Sequence, residues 1–296
     1  MFDLKIKDII KENQAIFSCE IFPPKSYMNI DKTKAVAKAI CDLNPDFVSV
    51  TYGTGGGTSQ QTVEIARYIN ETGNTALAHL TCASSNRQEV AEAIEKLKAY
   101  GIENILALRG DILEENREKP RDFTFASELV TEIKKHGDFC IGAACYPEGH
   151  VECESMERDL DNLKAKVECG VDFLTTQMFF DNTAFYSFMF RALKKGIDVP
   201  ILAGIMPMTN SAQIVRSCKL SGATLPTRFR RIADKFGDNP EAMKQAGIAY
   251  ATEQIIDLIA NGVKGIHLYT MNKPDVAENI MSNLSCIVGA DRICMK

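Results

Sequence analysis

The chain has 296 residues and a net charge of −5, with 45% apolar and 25% charged residues. This is the composition of a globular protein with a sizeable core, and the lack of a basic run argues against a nucleic-acid partner. No apolar run reaches the ~18 residues that a membrane-spanning helix needs. Segment 1–14 lacks the apolar block of a signal peptide, and its apolar residues recur at the spacing of a short amphipathic helix. We therefore expect a cytoplasmic protein.

The ten cysteines form no C-x-x-C pair and are spread through apolar segments. Because the chain also has only four histidines, a zinc framework is not expected and no metal site is predicted. Buried, reduced thiols are typical of a cytoplasmic protein.

Short apolar segments alternate with helical patterns along the whole chain. The predicted strands are 15–22, 46–51, 75–80, 103–108, 140–145, 172–177, 200–205 and 264–269. The predicted helices are 31–43, 58–72, 86–99, 124–136, 153–169, 182–195, 210–220, 240–261 and 275–284. Strands at about 30-residue spacing, each followed by a helix, are typical of a (β/α)8 barrel.

The predicted strands are nearly continuous apolar runs, as strands buried on both faces of a parallel sheet are. We predict an α/β protein with a (β/α)8 TIM barrel. We also predict that residues 1–296 form a single catalytic domain with a short N-terminal helix, since no linker or composition shift divides the chain. A doubly wound open sheet is the alternative.

In such a barrel, functional side chains lie at the carboxyl ends of the strands and in the loops that follow. Polar residues concentrate at those positions, whereas the opposite ends carry mostly turn residues. Glu20 is the most informative, because a carboxylate between Cys19 and Ile21 is costly to desolvate without a function. Further polar strand-end residues are Thr51, Tyr52, Thr54, His79, Arg109, Asp111, Tyr146, His150, Gln177 and Tyr269. This asymmetry predicts an enzyme.

Two segments suggest a ligand without identifying it. Residues 53–59, GTGGGTS, look like a phosphate loop but match neither the G-x-G-x-x-G nor the G-x-x-x-x-G-K-[ST] pattern, so a flexible loop is favoured. On the predicted helix 153–169, Asp159, Asn162 and Lys166 share one face. That face is either solvated or binds a nucleotide-like ligand, with Lys166 at a phosphate.

Eight stretches of the sequence together resemble the methylenetetrahydrofolate reductase family. They are FSCEIFPPK, VSVTYGTGGGT, AHLTC, LALRGD, ACYPEGH, DLDNLKAKVECGVDFLTTQMFFD, GIMPMTN and HLYTMNKP, in order between residues 17 and 274. The resemblance implies a (β/α)8 barrel that binds FAD at the carboxyl ends of its strands. It also implies reduction of 5,10-methylenetetrahydrofolate to 5-methyltetrahydrofolate by ping-pong hydride transfer from NADH, NADPH or another reductant, in one-carbon and methionine metabolism.

The same resemblance implies roles for individual residues. Glu20 is similar to the family's general acid, and Asp111 to an aspartate close to the flavin and the pterin. Gln177 is similar to the glutamine that contacts folate, with Gln213 and Lys273 as further substrate contacts. The implied cofactor-binding residues are Thr51, Tyr52, Thr54, His79, Arg109, Gly110, Asp111, Phe125, Ala126, Tyr146, His150, Asp159, Asn162 and Lys166.

Three positions depart from the family pattern. Phe125 stands where many relatives have tyrosine, Ala165 replaces a basic residue often found beside Lys166, and Ser217 falls where some members carry an aromatic residue. Two other functions stay open: a pterin-dependent methyltransferase barrel without flavin, and a flavin-binding subunit of a larger electron-transfer complex. The expected partners are folate and a nicotinamide cofactor, with no nucleic acid and no membrane span; a homo-oligomer and a second subunit both stay open.

Overall fold

The computed structural model describes residues 5–13, 15–24, 29–52, 59–111 and 121–288. The strands in these ranges are β1 (Ile16–Ile21), β2 (Phe47–Val50), β3 (Ala76–Thr81), β4 (Asn104–Leu108), β5 (Cys140–Cys145), β6 (Phe173–Thr176), β7 (Ile201–Ile205) and β8 (Gly265–Tyr269). They are parallel and run in chain order around a closed barrel, in which β1 pairs with both β2 and β8. The predicted (β/α)8 barrel is confirmed and the open sheet is excluded.

Helices surround the barrel. They are α1 (Ile6–Glu12), α2 (Ile30–Cys41), α3 (Ser59–Glu71), α4 (Arg87–Ala99), α5 (Ala126–His136), α6 (Met156–Glu168), α7 (Asn182–Lys194), α8 (Ser211–Ser221), α9 (Thr227–Phe236), α10 (Pro240–Ala260), α11 (Pro274–Asn283) and α12 (Ser285–Val288). Within the described ranges, no helix is both long and apolar enough to cross a bilayer.

Helix α9 is the main difference between the predicted and the observed elements. Its buried Phe229 is followed at helical spacing by the partly buried Ile232 and Ala233, a pattern that the prediction missed. Helix α6 also begins later than predicted. The hydroxyl oxygen of Ser155 accepts a hydrogen bond from the Arg158 backbone N–H at 3.2 Å and caps its first turn.

Apolar side chains fill the amino-terminal end of the barrel interior. One cluster contains Ile6, Ile9, Ile16, Phe47, Leu77, Leu106, Cys140, Phe173 and Leu202. The backbone N–H of Ile6 donates to the Asn104 side chain at 2.8 Å and fixes α1 against this cluster. The amino-terminal end of the barrel is therefore covered by a helix, and the polar interior lies toward the carboxyl ends.

Helices α8 and α9 cover part of the carboxyl end. Phe229 of α9 stacks on Phe180, which follows β6, with ring centroids 5.6 Å apart, and both pack with Met208, which follows β7. The carboxylate of Glu148, which follows β5, accepts a hydrogen bond from the Thr224 backbone N–H at 3.0 Å. These contacts place the helix pair beside the ends of β5, β6 and β7.

Candidate active site

A cavity of about 1360 Å³ lies at the carboxyl ends of the strands. This exceeds the roughly 300–1,000 Å³ typical of small-molecule sites, so the cavity can take a ligand as large as a dinucleotide. Most of the residues predicted from the sequence line it: Glu20, Thr51, Tyr52, His79, Arg109, Gly110, Asp111, Phe125, Ala126, Tyr146, His150, Asp159, Asn162, Lys166 and Gln177. The barrel therefore brings together side chains that are far apart in the sequence.

Three predicted site residues are not found in this lining. Gln213 is exposed in the first turn of α8. Lys273 precedes α11, and its ammonium group donates to the Thr209 hydroxyl at 2.8 Å. Thr54 lies outside the described residues. Substrate contacts by Gln213 and Lys273 stay predictions.

Glu20 lies near the end of β1 with its side chain 18% exposed. Its Oε2 atom lies 3.4 Å from the Ser49 hydroxyl oxygen and 3.5 Å from Nε2 of His267. Nε2 of His79 is also 3.5 Å from this oxygen. One carboxylate oxygen thus faces a polar layer inside the barrel, while the residue also lines the cavity. The Glu20 side chain therefore connects the buried polar layer with the cavity.

His267 is fully buried in this polar layer on β8, where it pairs with Ser18, two positions before Glu20. Its Nδ1 lies 2.7 Å from the hydroxyl oxygen of Ser18, and that hydroxyl donates to the Ile266 carbonyl at 3.2 Å. The imidazole ring stacks on Phe47 with centroids 6.0 Å apart. The ring is therefore fixed on both its polar and its apolar sides.

Ser18, Ser49 and His267 are not among the site residues predicted from the sequence. The signal that could have found them is alternation, since every second residue of a barrel strand faces the interior. Ser18 lies two positions before Glu20, and the register aligns Glu20 with Ser49 and Ser18 with His267. Knowledge of the strand pairing is needed to read that signal.

His79 is buried beside the cavity with 5% of its surface exposed. Burial lowers its pKa to about 4, so the ring is neutral near pH 7. Among the described residues, its Nε2 has no hydrogen-bond partner. Buried polar atoms are nearly always paired, so an unpartnered nitrogen in a cavity wall indicates a place for a ligand.

Helix α6 lines the cavity with Asp159, Asn162 and Lys166, as their spacing on one face predicts. The Lys166 ammonium group donates to the Ala144 carbonyl at the end of β5, at 2.6 Å. Burial lowers the pKa of Lys166, while burial raises that of Asp159. These shifts mean that Asp159 and Lys166 are shielded from solvent, so this face of α6 is not fully solvated.

A second polar group lies on the loop after β5. The Tyr146 ring meets the His150 ring edge-on with centroids 4.6 Å apart, and burial raises the pKa of Tyr146 to about 12. Nδ1 of His150 accepts a hydrogen bond from the Glu152 backbone N–H at 3.1 Å, so Nε2 carries the proton of the neutral ring. Arg109 forms an ion pair with the Glu152 carboxylate. Arg109 after β4 thus lines the same part of the cavity as Tyr146 and His150 after β5.

Gly110 turns the chain after β4 so that Asp111 lines the cavity. Its φ of +82° favours glycine, and a Cβ atom there would lie 2.9 Å from Cβ of Thr81. On the same side, Phe125 lines the cavity although 59% of it is exposed. The carboxylate of Glu128 accepts a hydrogen bond from the Phe125 backbone N–H at 3.0 Å and fixes this position.

The lining contains groups that can hold a large polar cofactor. Lys166 and Arg109 supply positive charge locally, although Arg109 is ion-paired with Glu152 and carboxylates outnumber basic groups in the lining. Asp159 and Asn162 supply polar contacts, and Nε2 of His79 has no hydrogen-bond partner among the described residues. Glu20 lies at the same cavity, close to the Ser49 hydroxyl and the His267 ring. These features define a (β/α)8-barrel enzyme with its site at the carboxyl ends of the strands.

The chain belongs to the methylenetetrahydrofolate reductase family, because the family model of that description matches residues 5–285. It is 35% identical over 274 residues to the 5,10-methylenetetrahydrofolate reductase of Escherichia coli strain K12, which covers 92% of each chain. The enzyme of the same name from Pectobacterium carotovorum is 35% identical over 268 residues, covering 90% of this chain and 89% of that one. These relatives are oxidoreductases, and the predicted family and enzyme class are confirmed.

The plant relatives are longer. Methylenetetrahydrofolate reductase (NADH) 1 of Arabidopsis thaliana is 35% identical over 298 residues, covering 96% of this chain and 50% of the plant protein. The chain therefore spans half the length of this plant relative and about nine tenths of the bacterial ones.

Solved structures support the fold. A Clostridium thermocellum protein described as binding two copies of 5-methyl-5,6,7,8-tetrahydrofolic acid aligns with a TM-score of 0.66 at 14% identity, covering 96% of this chain and 99% of that one. Oxaloacetate acetylhydrolase aligns with a TM-score of 0.55 at 11% identity, covering 99% of this chain and 88% of that one. At such identities the likeness shows a shared fold only.

Proposed function

We propose that the protein reduces 5,10-methylenetetrahydrofolate to 5-methyltetrahydrofolate, with FAD as cofactor and NADH or NADPH as reductant. The family membership supports the reaction, since the bacterial relatives carry the name of this reductase. The observation that carries the proposal is the position of Glu20, an acid at the cavity wall in contact with a buried polar layer. The proposal places the enzyme in the cytoplasm, in one-carbon and methionine metabolism.

The cavity lining supports FAD as the cofactor. Lys166 and Arg109 would face the diphosphate, and Asp159 and Asn162 would offer hydrogen bonds to the ribose or the adenine. The unpartnered Nε2 of His79 would contact the flavin side of the ligand. When bound between these residues, FAD would supply hydride transfer from the nicotinamide to the folate in a ping-pong order.

Glu20 is assigned the role of general acid toward the folate. The five-membered ring of the substrate must open to an iminium before a hydride can add, and opening requires a proton on the departing nitrogen. Glu20 gives that proton from its carboxyl group and is left as a carboxylate. A positioned acid of this kind contributes about 10²–10⁴-fold to the rate.

Asp111 and Gln177 are assigned to the pterin. Both line the cavity, Asp111 after β4 and Gln177 after β6. A carboxylate close to the flavin would disfavour added negative charge there, which would favour hydride donation. The side-chain oxygen of Gln177 accepts a hydrogen bond from the Met178 backbone N–H at 2.9 Å, which leaves its NH₂ group available to donate to the pterin.

Anaerobic half-reactions test the proposal. The full chain is supplied with FAD, reduced with NADH or NADPH, and then mixed with 5,10-methylenetetrahydrofolate while flavin absorbance is followed. We expect reduction and then reoxidation. In Glu20→Gln we expect normal reduction but reoxidation slowed by about 10²–10⁴-fold. Glu278→Gln, the same change at an exposed position of α11, is the matched control.

Three outcomes would contradict the proposal in different ways. A chain that binds folate but no flavin would favour the methyltransferase alternative. A flavoprotein that neither nicotinamide nucleotide reduces would favour a subunit that receives electrons from another protein. Equal loss of both half-reactions in Glu20→Gln would assign Glu20 a structural role.

A further inference from the structure

The hydroxyl group of Ser49 faces two acceptors inside the barrel. Its oxygen lies 3.4 Å from Oε2 of Glu20 and 3.3 Å from Nε2 of His267. Ser49 is fully buried. A serine hydroxyl has a single proton to donate, so it can satisfy only one of these two acceptors at a time.

The tautomer of His267 follows from its second nitrogen. We assign the Ser18 hydroxyl proton to the Ile266 carbonyl, 3.2 Å away, so that the Ser18 oxygen accepts at its 2.7 Å contact with Nδ1 of His267. This assignment puts the ring proton on Nδ1 and leaves Nε2 as an acceptor. An acceptor nitrogen and a carboxyl oxygen thus compete for the Ser49 proton.

We propose that Ser49 is a two-position donor that follows the charge of Glu20. While Glu20 is protonated, Ser49 donates to Nε2 of His267. When the O–H bond of Glu20 breaks and its proton forms an N–H bond on the departing folate nitrogen, the bonding pair stays on the carboxylate and the Ser49 hydroxyl rotates to donate to Oε2. Ser49 transfers no proton, and it acts as a positioning residue, as does His267.

This role deepens the proposed function and rests on it only for the destination of the Glu20 proton. A hydrogen bond to a charged acceptor is stronger than one to a neutral acceptor, so the rotation stabilises the carboxylate when it forms. The arrangement also gives the hydroxyl an acceptor in the protonated state, so it is never buried without a partner.

The other groups that face Glu20 cannot take this role. Nε2 of His79 on β3 lies 3.5 Å from Oε2 but makes no hydrogen bond among the described residues, and burial lowers the pKa of His79 to about 4. Tyr269 on β8 donates its hydroxyl proton to the Thr176 carbonyl at 2.6 Å, and burial raises its pKa. Among the described residues, Ser49 is therefore the group left to donate a hydrogen bond to Oε2 of Glu20.

The test is the titration of the Glu20 carboxyl by NMR. Full-length protein loaded with FAD is labelled with carboxyl-¹³C glutamate, and the Glu20 signal is identified by its loss in Glu20→Gln. Ser49→Ala removes the donor to the carboxylate, so we expect the titration midpoint to rise by about one pH unit. His267→Phe removes the competing acceptor and keeps the stacking on Phe47, so we expect the midpoint to fall.

Shifts in opposite directions are the expected signature of competition for one proton. A merely structural role would move both midpoints the same way or neither, and either result would overturn the proposal. Ser221→Ala, a change at another buried serine, is the control and should leave the midpoint unchanged. If Ser49→Ala does not fold, Ser49→Cys keeps the volume with a weaker donor and must still raise the midpoint.

A second readout is the pH profile of flavin reoxidation by folate. Its high-pH limb should move up in Ser49→Ala and down in His267→Phe, because protonated Glu20 is required. The NMR titration needs no folate, so unshifted midpoints overturn the role of Ser49 alone. If the variants show the expected midpoint shifts but the wild-type protein does not reduce the folate, the proposed function is overturned instead.

Discussion

Replacing Lys166 with methionine should separate the stability of the protein from its affinity for FAD. The Lys166 ammonium group donates to the Ala144 carbonyl at 2.6 Å and lines the cavity. Burial lowers its pKa, which means that the folded protein holds the charge less readily than the unfolded chain. This unfavourable contribution is present below the lowered pKa of the folded protein, decreases as the pH rises past it, and is gone above the pKa of the unfolded lysine. A bound diphosphate would offset it.

The magnitudes follow from the contacts. In the protein without FAD, Lys166→Met removes a desolvated charge but leaves the Ala144 carbonyl without its donor, a loss worth about 1–3 kcal/mol. The two effects oppose each other, so the unfolding free energy should change by no more than about 1 kcal/mol. Toward FAD, the loss of a charge-assisted hydrogen bond of about 1.5–3 kcal/mol should raise the Kd by about 10- to 150-fold.

The assay combines flavin fluorescence on dilution with urea unfolding of the cofactor-free protein. Lys164→Met is the matched control, because Lys164 lies on the same helix with its side chain 44% exposed and only a 3.9 Å ion pair to Glu168. Lys164→Met should change neither the affinity for FAD nor the free energy of unfolding. Wild-type retention of FAD in Lys166→Met would refute the reasoning. So would a large loss of stability, which would assign Lys166 to holding α6 against β5.

Three further changes have defined outcomes. Asp111→Asn should raise the reduction potential of bound flavin and weaken folate binding, because a nearby negative charge is lost; an unchanged potential in a spectroelectrochemical titration would place this carboxylate away from the flavin. The His79 pKa is about 4 in the fold against 6.5 unfolded, so the unfolded state binds the extra proton and stability falls as the pH drops through that window. At 1.36 kcal/mol per unit the loss is about 3 kcal/mol, and urea titrations should show a much flatter pH dependence in His79→Gln; an equal slope in both proteins would contradict the burial argument. Gly204→Ala should cost about 1–3 kcal/mol in urea unfolding, because its Cβ would lie 2.3 Å from the Thr176 carbonyl oxygen and 2.8 Å from the Tyr269 hydroxyl; an unchanged midpoint would mean that the strands adjust freely.

The barrel could be predicted because its strands are short apolar runs at regular spacing. Each predicted strand agrees with the observed one to within one residue at either end. The position of the cavity could also be predicted from the sequence, since the parallel strands of a barrel bring their carboxyl ends together. Glu20 and His79 could therefore be assigned to one site before the structure was known.

Other parts of the site depend on contacts that a sequence pattern does not contain. Ser49 and His267 are 218 positions apart, and only the strand register brings their side chains together. The bond from Lys166 to the Ala144 carbonyl depends on how closely α6 packs on β5. Helix α9 was missed because its segment carries many charged residues around a short apolar repeat, whereas tertiary packing of Phe229 stabilises it.

The pairing of β1 with β8 has a consequence for the synthesis of the protein. Glu20 and His267 are separated by 247 positions, so at about 5–20 residues per second the ribosome needs roughly 10–50 s between them. Throughout that interval β1 has no partner on one edge, and the layer around Glu20 lacks the imidazole from the far end of the chain. Local strand–helix units can form as they emerge, but the ring closes only after the last strand has left the ribosome. A nascent or interrupted chain can therefore hold most of the barrel's secondary structure and still lack the hydrogen-bonded acid, and an unpaired strand edge would be exposed for chaperones to cover.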